Sequence, residues 1–167
     1  MKCLKATLAA GMLAVCPAAV GDTEPVTDFK ARDLDNKMFR LRDHLDRGPV
    51  LLDFWALWCV PCLKELPELE KIWNRYRQQG LTLIAINEDS PSDQSKVRPY
   101  VKRKRFRFPV VVDEDKDLWY QFKVTSLPSV FLLDSKGRTV YSHTGYRAGD
   151  EARLAARIEQ LLSPPLE

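Results

Sequence analysis

Histidine is almost absent from this chain of 167 residues: His44 and His143 are the only two, far apart in the sequence. Cysteine is scarce as well, at Cys3, Cys16, Cys59 and Cys62. That scarcity bears on metal chemistry, because a structural zinc site closes with about four nitrogen and sulfur ligands. A charge excess of one sign is also missing. The chain has 26 Lys and Arg against 23 Asp and Glu, a net +3, too small to argue for nucleic-acid or membrane-surface binding. No internal repeat or low-complexity block interrupts it. With 45% hydrophobic and 29% charged residues the composition is that of an ordinary globular protein, and the length fits one domain.

The first 21 residues stand apart. Lys2 and Lys5 give a positive start, residues 8–15 are apolar and rich in small side chains, and Ala19-Val20-Gly21 has the small residues a signal peptidase reads. The stretch 1–21 therefore reads as a signal peptide, short for a membrane span, and 22–167 as the domain. Two alternatives are retention as an N-terminal anchor and lipidation at Cys16 through Leu13-Ala14-Val15-Cys16, where Val15 is bulkier than that box prefers. Cleavage would remove Cys3, Cys16, Lys2 and Lys5, leaving two cysteines and a net charge of about +1. Export places the chain in an oxidising compartment, the bacterial periplasm, where a cysteine pair is oxidised unless something reduces it.

What is present concentrates at Trp58-Cys59-Val60-Pro61-Cys62. An apolar run over 50–55 precedes it, as in a parallel strand buried on both faces. A helical pattern follows to about residue 79, with Leu63, Leu66, Leu69, Ile72, Trp73 and Tyr76 at three- and four-residue spacing. Pro67 should kink that helix, and Gly80 ends it. A C-x-x-C where a strand gives way to a helix reads as a dithiol redox centre. Unpaired N–H groups and the dipole at the helix N-terminus favour an anion, which lowers the thiol pKa and makes Cys59 a thiolate nucleophile. Cys62 lies one turn further in, within reach of a disulfide and less exposed, and Pro61 fits the first turn. Half of a zinc site and a purely structural disulfide stay open as readings; the first lacks ligands, and a chain this long needs no staple for its core. Asp53 is the exception in the apolar run. Burial makes a carboxylate costly to ionise there and raises its pKa, whether it is a hydrogen-bonded structural acid or one that handles protons for the cysteines.

Asp53-Phe54-Trp55-Ala56-Leu57-Trp58-Cys59-Val60-Pro61-Cys62 resembles the active-site segment of the thioredoxin superfamily, and Ser126-Leu127-Pro128-Ser129 resembles the loop carrying that fold's cis-proline. The order Phe108-Pro109-Val110, Asp113, Tyr120, Val124, Pro128, Phe131-Leu132-Leu133-Asp134, Gly137 and Gly145 is similar to the TlpA/ResA/DsbE branch of thiol-disulfide oxidoreductases, the cytochrome c maturation type. The likeness covers about 26–162. It implies an α/β, thioredoxin-like fold: a central mixed β-sheet flanked by helices, with an N-terminal β-hairpin and a central helix-strand insertion. It implies that Cys59 attacks, that Cys62 resolves, and that the two form the redox-active disulfide. Asp53 would accept the Cys62 proton, although the branch often carries Asn there. Trp58, Val60, Pro61, Leu127 and Pro128 would form the substrate face, with the Leu127 backbone pairing to an extended peptide. Glu88, at the start of the insertion, is a candidate acid for tuning the cysteines; otherwise it is a solvated loop acid. The resemblance implies no cofactor and no metal. The implied partners are disulfide-containing protein substrates and a membrane-bound thiol reductant, with no nucleic acid, and the chain a monomer.

The remaining pattern agrees. A hairpin is expected over 26–31 and 37–41 about Asp33-Leu34-Asp35-Asn36, then a helix over 42–45, a strand over 81–87, a helix over 92–104, a strand over 110–112 and a helix over 116–122. A second hairpin, 130–134 and 139–143, turns about Ser135-Lys136-Gly137. Asp150 is expected to cap the last helix, whose stripe is Leu154, Ile158, Leu161 and Leu162, with Ser163-Pro164-Pro165 ending it. Trp55 packs in the core and Trp58 shields the disulfide. His44 is a surface residue and His143 lies on the solvent side of an edge strand. The basic run 102–107 is a solvated helix end or a docking patch for an acidic partner or lipid head groups. The expected function is an exported reductase of protein disulfides, such as apocytochrome c C-x-x-C-H segments or copper-site proteins. A dithiol oxidase would use the same machinery, since direction follows reduction potential and partner. A non-catalytic Cu(I) module on Cys59 and Cys62 is the alternative from another class, with Met38 and the two separated histidines as its only further ligands.

Overall fold

A computed structural model describes residues 28–163. The signal segment, the first residues of the opening hairpin and Pro164-Pro165 lie outside the described residues.

The elements are β1 (Lys30–Asp33), β2 (Met38–Arg40), α1 (Arg42–Leu45), β3 (Val50–Trp55), α2 (Val60–Tyr76), β4 (Thr82–Asn87), α3 (Gln94–Lys104), β5 (Val110–Val112), α4 (Asp117–Gln121), β6 (Ser129–Leu133), β7 (Thr139–Thr144) and α5 (Asp150–Leu162). The seven strands form one mixed sheet in the order β2-β1-β5-β4-β3-β6-β7. β3 runs parallel to β4 and antiparallel to β6. This is the thioredoxin-like α/β arrangement expected, and β5, the insertion's strand, is the rung to which the opening hairpin attaches through Arg32–Val112.

All six residues of β3 are buried because helices cover both faces. Side chains alternate across a strand. Leu51 and Trp55 join the core beneath α2 and α5, with Leu66, Leu69, Ile72, Leu154 and Ile158. Val50, Leu52 and Phe54 face the opposite core, with Phe29, Phe39, Leu118 and Phe122. Asp53 shares the face of Leu51 and Trp55, so it points toward α2.

α2 continues past Pro67 to Tyr76 and closes through a 3-10 turn, Arg77–Gln79, onto Gly80 at φ 111°. A Cβ on Gly80 would lie 2.5 Å from the Arg47 carbonyl oxygen, so only glycine lets the chains entering β3 and β4 approach this closely. Asp150 corrects an expectation. The residue at the cap of α5 is Gly149, at φ 104°, and the Asp150 carboxylate instead accepts the Arg147 N–H at 2.8 Å. Among the described residues no helix is long and apolar enough to cross a membrane.

Candidate active site

β3 ends at Trp55 and α2 begins at Val60, so the cysteines fall where strand yields to helix. Cys59 is the N-cap of α2, with extended backbone, and its sulfur accepts the Cys62 N–H at 3.3 Å. Cys59 and Cys62 form a disulfide, with Cα atoms 5.3 Å apart. Both are nearly buried, at 4% and 1% exposure, whereas Trp58 at 65% and Val60 at 62% stand out beside them. Trp55 is fully buried against Tyr100.

The loop between strand and helix is pinned by a residue the sequence reading passed over. The Asp89 carboxylate accepts the Leu57 N–H at 2.9 and 3.2 Å and the Asn87 side-chain amide at 2.7 Å. The β3–β4 register explains this: Trp55 pairs with Asn87, so two residues on, Leu57 meets Asp89. An acid two residues past the strand end was the only local signal. The Leu127–Pro128 loop arrives at the same end of the sheet, because Ser129 pairs with Phe54. The Leu127–Pro128 bond is cis, and the Gly145 N–H donates to the Pro128 carbonyl at 2.8 Å.

Two buried carboxylates lie between the sheet and α2, Asp53 on β3 and Glu65 on α2. Asp53 is 1% exposed, and neither of its oxygens has a hydrogen-bond partner among the described residues. Burial pushes its pKa well up, and the charge of Glu65 pushes the same way. Glu65 follows Cys62 by three residues on the inward face of α2 and is 2% exposed. Burial raises its pKa, opposed by the hydrogen bond and charge of His143, while Asp150 and Glu151 raise it further. Glu65 Oε1 lies 3.1 Å from His143 Nε2, and His143's side chain is 16% exposed. His143 therefore does not sit on the solvent side of its strand: α2 and α5 cover this end of β7. Glu65 was missed because its only sequence signal was a position within the helix's apolar stripe, next to Leu66.

Glu88 is not a solvated loop acid. It is 3% exposed, and Lys116 Nζ donates to both its carboxylate and its carbonyl at 2.7 Å. Burial lifts its pKa to about 7, against the hydrogen bond from Lys116 and with help from Asp113. His44 is half-buried, its ring stacked 4.5 Å from Phe39. The basic run at the end of α3 is exposed; Arg103 and Lys104 lie over the Tyr100 ring, and Arg107 reaches Glu70. A cleft of about 470 Å³ beside the dithiol is lined by Pro61, Tyr141, His143, Thr144, Tyr146 and Arg153. A larger one, about 630 Å³, lies away from the cysteines among β1, α3 and the loop before α4. Chemically the site offers a sulfur pair at a helix N-terminus, a buried acid on the strand that leads into it, and apolar side chains exposed around it.

The model of the AhpC/TSA family matches residues 21–142. The thiol-disulfide oxidoreductase ResA of Halalkalibacterium halodurans is 30% identical over 141 residues, 84% of this chain and 77% of that protein. ResA of Geobacillus thermodenitrificans is 35% identical over 127 residues, covering 76% and 70%. A crystal structure from Chlorobium tepidum, named for the thiol:disulfide interchange protein DsbE, has a TM-score of 0.77 at 26% identity, over 84% of this chain and 97% of that one.

Proposed function

The chain belongs to the AhpC/TSA family as a ResA- and DsbE-like thiol-disulfide oxidoreductase, and on that premise we propose that it is exported and reduces protein disulfides through Cys59 and Cys62. The Cys59 thiolate, held at the α2 N-terminus, attacks one sulfur of a substrate disulfide. That S–S bond breaks, a mixed disulfide forms, and one substrate thiolate leaves. Cys62 gives its proton to Asp53 and attacks Cys59 Sγ. The Cys59–Cys62 disulfide forms and the second substrate sulfur leaves as a thiolate. The two substrate thiolates take up protons from Asp53 and solvent, equal to those that Cys62 and Cys59 gave up, so the net transfer is two electrons and two protons from dithiol to substrate. A membrane-bound thiol reductant returns them. Oxidised C-x-x-C-H segments of apocytochromes c and copper-site proteins are the substrates that fit this direction. Trp58 and Val60, exposed beside nearly buried sulfurs, form the substrate face with Pro61, and Leu127 and Pro128 supply backbone for an extended peptide.

The observation that supports a proton role is Asp53, a carboxylate buried on the face of β3 that points toward α2, with no hydrogen-bond partner among the described residues. In a mixed disulfide, a base for Cys62 speeds its attack on Cys59, which releases reduced substrate, while the net direction follows the reduction potential of the pair. The test is the reduction potential of the pair, by equilibration with glutathione or a dithiol buffer. A value near about −270 mV is expected; one near about −120 mV marks an oxidase and overturns the direction.

A further inference from the structure

His143 takes no part in the steps above, yet the sheet register places it in line with Asp53. Asp53 pairs with Val130, and Val130 pairs with His143. Residues directly opposite in antiparallel strands project from the same face. Asp53, Val130 and His143 therefore form a row beneath α2, with the two ends about 10 Å apart at two strand spacings. Glu65 hangs from α2 over this row. One of its oxygens meets His143 Nε2 at 3.1 Å, and the other is buried with no partner among the described residues. His143 in turn lines the cleft beside Pro61.

We propose that His143 is a positioning residue for the release step, acting through Glu65: the imidazole holds the outer carboxylate of the buried Asp53–Glu65 pair in its ionised form, and that charge sets how avidly Asp53 takes the Cys62 proton. This rests on Asp53 being the acceptor proposed above. The electrostatics agree with the geometry. Tyr141 from β7, Tyr146 from the loop after it, and Asp150, Glu151 and Arg153 from α5 surround Glu65 and His143. Asp150 and Glu151 oppose ionisation of Glu65, and His143 favours it. An ionised Glu65 repels a charge on Asp53, which makes Asp53 the stronger base. Without His143, Glu65 holds its proton, the repulsion disappears, and Asp53 gives up its proton at lower pH.

The experiment is the pH profile of mixed-disulfide resolution, measured with a model protein disulfide on the full chain and on variants whose fold is checked by near-UV circular dichroism. His143→Ala should move the Asp53-dependent midpoint down by about one pH unit, the scale of a nearby like charge. Glu65→Gln should do the same. His143→Gln, which keeps an N–H for Glu65 without the charge, should fall between and stands in if the alanine variant misfolds. The double variant Glu65→Gln/His143→Ala should match Glu65→Gln alone, since a residue acting through another adds nothing once that other is gone. An unmoved midpoint in both His143 variants, or a double variant that adds the full His143 effect, overturns the inference. Asp53→Asn separates the two failures. If it alters the profile while the His143 variants do not, only this inference falls; if it leaves the profile unchanged, the proton-acceptor reading and this inference fall together.

Discussion

Asp53 shows how much a single carboxylate can shape the whole protein's response to pH. Its oxygens have no partner among the described residues, and burial holds its pKa well above 3.8. Between 3.8 and the folded value, the unfolded chain has released this proton and the folded chain keeps it. Stability therefore falls as pH rises through that window, by about 1.4 kcal/mol per pH unit for each such proton. Glu88 adds a slope of the same sign between 4.5 and about 7, a value that already includes the pull of Lys116 toward the ionised form. Asp53→Asn should remove one proton's slope and make the protein more stable near neutral pH. Urea unfolding at several pH values checks this: parallel slopes for variant and parent would mean that Asp53 is ionised in the fold. The same substitution should slow release of the mixed disulfide more than its formation.

At the level of elements, the site depends on a strand and a helix meeting at a fixed angle, and Asp89 is the clamp at that joint. It satisfies the Leu57 N–H and the Asn87 amide together, while 2% exposed. Asp89→Ala would leave the buried Asn87 amide without its partner, a cost of about 1–3 kcal/mol, and release the half-buried Leu57 N–H at a smaller cost. Thermal unfolding should show the loss. Exchange should slow as well, because the loop that sets the helix N-terminus against Cys59 loses its anchor. Wild-type exchange rates in a destabilised Asp89→Ala protein would show that the clamp serves the fold alone. α5 is fastened to α2 by Glu159, which accepts from the Tyr76 hydroxyl and pairs with Arg75.

The whole molecule gathers its chemistry at one end of the central strands. The C-terminal ends of β3 and β4 and the N-terminal end of β6 converge there, bringing the dithiol, the Asp89 clamp and Pro128 together, as ligand sites in open α/β sheets gather at strand ends. The insertion and the opening hairpin build out the far edge through β5. Because a mixed disulfide exposes its substrate at this rim, Cys62→Ser expressed in cells should accumulate covalent partners, while Cys59→Ser should trap none and lose exchange. Non-reducing electrophoresis reads both. Adducts on Cys59→Ser, with none on Cys62→Ser, would reverse the assignment of attacking and resolving thiols.

Much of this was legible in the chain itself. The apolar run became β3 at residues 50–55 and the cysteines fell at its junction with a helix, because periodicity and breaker residues act locally. The short helix 42–45 and the strand 110–112 were readable for the same reason, and the motifs identified the thioredoxin-like fold. What local pattern reports is which face of an element is apolar, never which element covers it. Asp53 could be read as buried, but not as lacking any partner. Glu65 and His143 meet across 78 residues, and Asp89 reaches Leu57 across 32; only the pairing of distant strands brings such groups together. Asp150 was read as a cap because Asp favours that position, yet the loop before α5 put Gly149 there. Which polar groups are buried together, and so which pKa values shift, is decided by packing, and packing belongs to the tertiary structure.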